Sequence, residues 1–362
     1  MKKYGKRLRL SPEEVEMIYE SRAKETNIND NTVLDMHLAE RGIDKKDVVS
    51  VKHWQSAGGE FRFSVVTKED MSLNEKDLLS KVSRFIDEYS PYYPTIKTKN
   101  TNASHLLVIN PADIHIGKYA NPVETGSKYD VETACMQVLE GLEGLVEKAE
   151  GFEIEKILFC IGNDVLHIDN VYGTTTKGTY QDTDGKWWEH FEIGLALYVK
   201  CVEILREIAP VDVIHCMSNH DYQSGFHLAH ALKSWFRKDK RITFDVGVAH
   251  RKYYQYGTNL IGLEHGDGAK MNNLPLLMAQ EKPNMWSSTK YRYWYLHHLH
   301  HKVKHKWRDA KDFIGVTVEY MRSPSGTDSW HSRKGFTGVL KAVEGFIHER
   351  NSGQVARLVH YF

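Results

Sequence analysis

Charge of one sign is not in surplus here: Lys+Arg 48 stands against Asp+Glu 48, a formal net charge of zero. No global field marks the chain for nucleic acid or an acidic membrane, so any phosphate binding has to be local. Cysteine is scarce, at 4 in 362 residues. Cys135, Cys160, Cys201 and Cys216 fall in apolar runs without C-x-x-C spacing, which argues against a disulfide framework and suits reduced core thiols. No run approaches the roughly 20 consecutive apolar residues of a membrane span. The basic first stretch, KKYGKRLRL, lacks the apolar centre of a signal peptide. The expectation is a cytoplasmic protein with no membrane partner. Histidine, by contrast, is abundant, 20 in all, many of them between His215 and His305, and this motivates a search for metal ligands.

The chain is longer than one hydrophobic core usually serves, so a large domain over residues 100–362 and a small accessory unit over 1–99 are expected. In the small unit, Ser11-Pro12-Glu13-Glu14 reads as a capped helix start. A second helix spans 31–41 and stops at Gly42, a glycine-looped hairpin joins 48–54 to 60–66, and an amphipathic helix covers 74–89. This unit has two readings. One is a winged nucleic-acid-binding module; the other, preferred, is an appendage that docks a partner protein or a second copy of the chain. The polar segment 91–104, with Pro91 and Pro94, reads as the linker.

From His105 onward, strand-like and helix-like segments alternate, and ligand-type residues recur where strands end. Asp113 and His115 follow the apolar run 106–109, and Asp164 follows the buried run 156–161 through Gly162 and Asn163. The strand 211–216 delivers Ser218, Asn219, His220 and Asp221; 260–264 ends at His265; 291–296 ends in a histidine cluster where His298 and His300 form an H-x-H pair. Residues i and i+2 of an extended segment project to one side, so both imidazoles of such a pair can reach one centre. Carboxyl ends of strands are where open α/β sheets bind ligands. Taken singly, each aspartate is equally a turn or cap residue.

In this order the blocks Asp113-x-His115, Asn163-Asp164, Asn219-His220-Asp221, His265 and His298-x-His300 resemble those of the calcineurin-like metallophosphoesterases, over residue 105 to the end. Ser218 and His297 stand where the family usually has glycine. The resemblance implies an α/β fold of the four-layer α+β type, a β-sandwich flanked by helices. It implies one cation held by Asp113, His115, Asp164 and His300. A second would be held by Asn219, His265 and His298, with Asp164 as the bridge. Mixed carboxylate, amide and imidazole donors suit two divalent transition metals, Mn2+ first and Fe2+ or Zn2+ next. The implied reaction is phosphodiester hydrolysis by a metal-bridging hydroxide, with His220 assisting the leaving group and Asp221 orienting His220.

The run GNDVLH, 162–167, is similar to the GGDLFH form of the double-strand-break repair exonuclease branch, which places His167 beside substrate and makes DNA the first expected substrate, for an exonuclease or endonuclease. The alternatives are a phosphatase, a small-molecule phosphodiesterase of the cyclic-nucleotide type, and a non-catalytic metal-binding scaffold. The polar loop 173–186 precedes Trp187 and Trp188, which read as helix-start core in preference to base-stacking rings. Near the end, 313–321 reads as a β run, and 346–348 and 355–361 read as strands that complete the second sheet. Segment 328–331 reads as a loop anchored by Trp330.

Overall fold

The computed structural model describes residues 30–55, 61–67, 91–96, 103–299, 310–333, 335 and 340–362. The chain separates into two compact units, Met1–Tyr89 and Ser90–Phe362. In the first, helix α1 (Asp30–Glu40) ends before Gly42, whose φ of 67° only glycine adopts without strain. Strands β1 (Val48–Gln55) and β2 (Phe61–Thr67) then pair antiparallel, with Val51 opposite Val65. The basic start and the helices expected at Ser11 and over 74–89 lie outside the described residues.

The second unit is an α/β structure of two mixed sheets flanked by helices. Strands β3 (His105–Ile109), β4 (Ile154–Gly162), β5 (Val211–Cys216) and β6 (Ile242–Asp245) run parallel and side by side. Helices α2 (Val131–Lys148), α3 (Trp187–Ile208) and α4 (Tyr222–Trp235) accompany these strands. In the other sheet, β7 (Lys252–Tyr256), β8 (Asn259–Leu263), β9 (Tyr291–Leu296), β10 (Ala310–Phe313) and β11 (Val316–Tyr320) take the order β10-β11-β9-β8-β7. Alternation along the strands separates the layers. Leu107, Ile109, Phe159 and Val213 face the helices with Val138, Leu142, Val202 and Leu228. Leu106, Val108, Leu158 and Ile214 face the second sheet, meeting Ile261, Leu263 and Tyr295. The far side of that sheet buries Trp294 and Leu296 with Leu274 and Met278.

Four expectations change. Strands β12 (Ala342–Glu349) and β13 (Gly353–Tyr361) do not complete the second sheet; they extend the first, in the order β13-β12-β3-β4-β5-β6. Gly345 permits this, because a Cβ there would stand 2.9 Å from the Val108 carbonyl oxygen and 3.2 Å from a Leu145 methyl. The run 313–321 is broken by a turn at Gly315, φ 74°, which makes it a hairpin with β10. Residues 91–96 are not free linker. The Tyr93 ring lies 5.1 Å from Phe236, its hydroxyl donates to Glu203 and accepts from Trp235, and Arg206 donates to the Pro94 carbonyl. Finally, Trp187 and Trp188 are not core: each is 48% exposed at the start of α3. The cysteines are free, with Cys160, Cys201 and Cys216 buried and Cys135 half-buried. Among the described residues no helix is long and apolar enough to cross a membrane.

Candidate metal centre

The ends of β3, β4 and β5 fall on one edge because the three strands are parallel neighbours, and β8 and β9 deliver their ends from the second sheet. Beyond them the backbone is bent in an unusual way. Among the described residues, the non-glycine positions with positive φ are Asp113 (52°), His115 (52°), Asn163 (51°), Asp164 (60°) and His298 (70°), all in these loops. Left-handed backbone costs an L-residue about 1–2 kcal/mol, so such a concentration marks a place where strain is held for a purpose. Backbone bonds over-determine it: Asp113 N donates to Asn163 O at 2.7 Å, His115 N to Asp164 O at 2.9 Å, and His297 N to His265 O at 2.9 Å. Ser218 Oγ accepts from Asp164 N at 2.8 Å, and Ser323 Oγ donates to Asp113 O at 2.7 Å. Gly162 has to be glycine here, since with φ at 82° a Cβ would stand 2.2 Å from Cys216 O.

This backbone gathers the side chains into three sets, each with its donor atoms within 4.8 Å of one another: Asp113, His115 and Asp164; Asp164, His265 and His298; and His115, His167 and His220. Asp164 belongs to the first two. Its Oδ1 accepts from His220 N at 2.8 Å, while His265 Nε2 approaches its Oδ2 to 3.1 Å and Asn219 Oδ1 to 2.9 Å. One N–H cannot serve two oxygens well, and buried Asp164 Oδ2 is left without a hydrogen bond. A cation among these oxygens and imidazoles would satisfy it.

The electrostatics are those of a site that needs positive charge. Burial pushes Asp113 up to about 7. Burial also works against ionised Asp164, but the charge of His265 prevails and holds it below the usual carboxylate range. Burial disfavours the His265 cation too, yet Asp164 and Asp113 lift it to about 9. His298 is lowered by burial and then by the charge of His265. A ligating imidazole is neutral, so a cation bound at His265 would have to displace its proton.

The residues read from the sequence thus divide. Asp113, His115, Asp164, Asn219, His265 and His298 come together; His300 lies outside the described residues. His167 is buried, with its Nδ1 3.3 Å from His115 Nδ1 and its ring stacked on His220. Asp221 does not orient His220. Its oxygens accept from Ser218 Oγ at 2.6 Å and Leu166 N at 2.9 Å, and the carbonyl of His167 instead accepts from His220 Nδ1 at 3.0 Å. The reason is that Asp221 turns inward at the head of α4, where burial and then the Asp164 charge raise it to about 7. Sequence reasoning missed the structural use of Ser218, although its replacement of a glycine was the available signal. It also missed buried Lys118, paired with Asp328 at 3.0 Å, for which no sequence signal existed. Asp328 precedes the short helix Ser329–Arg333, and the side chain of Trp330 lies outside the described set.

No protein-family model and no curated protein matches the chain. Among solved structures, a double mutant of Vps29 from Entamoeba histolytica is similar at 14% identity, covering 71% of this chain and 99% of that one with a TM-score of 0.25. A score that low establishes no kinship.

Proposed function

We propose that the chain is a metal-dependent phosphoesterase that cleaves phosphodiester bonds, with DNA as substrate. The observation that carries the reading is the buried Asp164 carboxylate, shared between two clusters of ligand-type side chains. Asp113, His115, Asp164 and His300 would hold one cation, and Asp164, Asn219, His265 and His298 the other, as in the family that the motif order resembles. When bound, the two cations supply Lewis-acid charge to the phosphoryl oxygens and lower the pKa of an attacking water.

The chain's own residues do the rest. His220 is held at two points, its N–H on Asp164 Oδ1 and its Nδ1 on the His167 carbonyl. A carbonyl oxygen only accepts, so Nδ1 carries the proton in the neutral ring and Nε2 is the atom that takes up and releases another. That nitrogen suits a general acid toward the leaving oxygen. Ser218 and Asp221 brace the turn on which Asn219 and His220 sit.

The test is hydrolysis, with Mn2+, of linear double-stranded DNA, single-stranded DNA, an aryl phosphodiester and an aryl phosphomonoester. Cleavage of the diester and of DNA, abolished by chelator, is expected. Cleavage of the monoester alone would make the protein a phosphatase. Full metal loading with no hydrolysis of any substrate would make it a scaffold.

A further inference from the structure

Apart from the shared His115, the set His115, His167 and His220 has no part in either proposed cation site. It contains no carboxylate. Imidazoles alone are a donor set for zinc, whereas carboxylates and water suit manganese. We propose that these three histidines form a separate Zn2+ site whose filling switches the metal centre off. The switch rests on the phosphodiesterase reading and adds to it a regulator of the same centre.

The spacing of the nitrogens fits. Zinc binds imidazole nitrogen at about 2.0–2.1 Å with tetrahedral geometry, which sets two ligand nitrogens about 3.3–3.4 Å apart. His115 Nδ1 and His167 Nδ1 stand 3.3 Å apart. The donor atoms of all three side chains lie within 4.8 Å of one another, and the ring centres are 4.6 to 5.3 Å apart. His220 is already oriented as a ligand. Its Nδ1 donates to the His167 carbonyl at 3.0 Å, which leaves the lone pair on Nε2, and a metal-bound histidine is commonly fixed in this way on a backbone carbonyl. Burial holds His167 well below the usual imidazole range, so it is neutral and has no extra proton to lose. Lys118, whose charge also disfavours the His167 cation, is itself paired with Asp328 at 3.0 Å. His115 and His167 are buried and His220 is half-buried, so the set is reached from the side of His220.

The shared residue makes the site a switch. A neutral imidazole has one nitrogen lone pair, so His115 serves one cation at a time. Zinc held by the three histidines takes His115 away from Asp113 and Asp164. It also occupies Nε2 of His220, the atom assigned to proton transfer. Manganese, favoured by the carboxylates, and zinc, favoured by the histidines, therefore have opposite effects on the same centre.

The experiment titrates the metal-free full chain with Co2+, which takes the place of zinc in tetrahedral nitrogen sites and colours them, and follows visible absorption. It uses the parent, His167→Gln and His220→Asn. The parent should develop the intense absorption of four-coordinate cobalt, abolished by an equal amount of Zn2+ but not of Mn2+. Each variant should need at least about tenfold more Co2+ to reach the same band. His220→Asn should keep the Tm of the parent and its Mn2+ binding, read by electron paramagnetic resonance, so it carries the test alone if buried His167→Gln does not fold. Only the weak absorption of six-coordinate cobalt in the parent, or a band that His220→Asn reaches at the parent's Co2+ concentration, overturns the site. Zn2+ that fills the site and leaves aryl diester hydrolysis by the Mn2+-loaded parent unchanged overturns the switch. The spectra need no turnover, so a parent that hydrolyses no diester with Mn2+ counts against the phosphodiesterase reading and leaves the zinc site standing.

Discussion

At the scale of single residues, the proposed centre gives Asp164 to metal binding and His220 to proton transfer, and one variant of each tests the division. Because Asp164 belongs to two donor clusters, Asp164→Asn weakens both sites together, and elemental analysis of the purified variant should find less metal than in any single histidine variant. Two metals per chain at full occupancy would show that Asp164 does not bridge. His220→Asn should keep its metal and lose about 10²–10⁴-fold in turnover on DNA, with a smaller loss on an aryl diester whose leaving group needs no proton. Equal losses on both substrates, together with loss of metal, would make His220 a ligand. A third residue, far from the metal centre, reports on stability. Buried His348 bonds the Tyr295 hydroxyl at 2.9 Å, and burial lowers it to about 3. Its folded pKa lies below the unfolded value of ~6.5. Below that value the unfolded chain takes up a proton that the folded chain refuses. The stability contributed by neutral His348 is therefore full above pH 6.5 and is lost as pH falls toward 3, by about 1.4 kcal/mol per unit. Urea melts at pH 7.5 and 5.5 should show a smaller drop for His348→Gln than for the parent.

At the scale of elements, the strand ends decide where the chemistry sits. Gly162 closes β4 with a backbone that only glycine accepts, and the Cys216 carbonyl of β5 fills the space a Cβ would need. Gly162→Ala should cost about 2–5 kcal/mol from backbone strain and overpacking together, and the displaced turn should impair metal uptake as well. An unchanged denaturation midpoint would mean that the turn adjusts freely. The same elements show what pattern can and cannot reveal. The helices α2 and α3 were legible because their buried faces repeat every 3.6 residues, and β5 and β9 because each is a short run rich in apolar or aromatic residues. The partners of β12 were not, because a strand buried on both faces carries no mark of which sheet it joins. For Trp187 and Trp188, residue type favoured burial, whereas the first turn of a helix often leaves its side chains in water.

At the scale of the molecule, the boundary near Ser90 has consequences for any shortened chain. A chain starting at Ser90 keeps the packing of Tyr93 on Phe236 and of Pro94 on Arg206; one starting at Thr101 loses both. The shorter chain should be less stable by about 1–3 kcal/mol in denaturant melts. Equal stability would restore 91–96 to the role of linker. If all the ligands of the proposed centre lie beyond Ser104, the chain from Ser90 should also still bind metal and hydrolyse an aryl diester.

Residue types, their order and the elements that carry them were decided by the sequence alone. Each ligand-type residue follows an apolar run, and neither the run nor the residue needs a distant partner to be recognised. Which atoms meet was decided only by the tertiary structure. That Asp221 accepts from Leu166 N, that His220 hangs on the His167 carbonyl, and that Ser323 grips Asp113 O depend on loops more than 50 residues apart in the chain being brought to one edge by parallel pairing. Local preference carries no information about a partner at that distance, because the bond's direction is set by strand register and left-handed backbone and not by either residue's own chemistry.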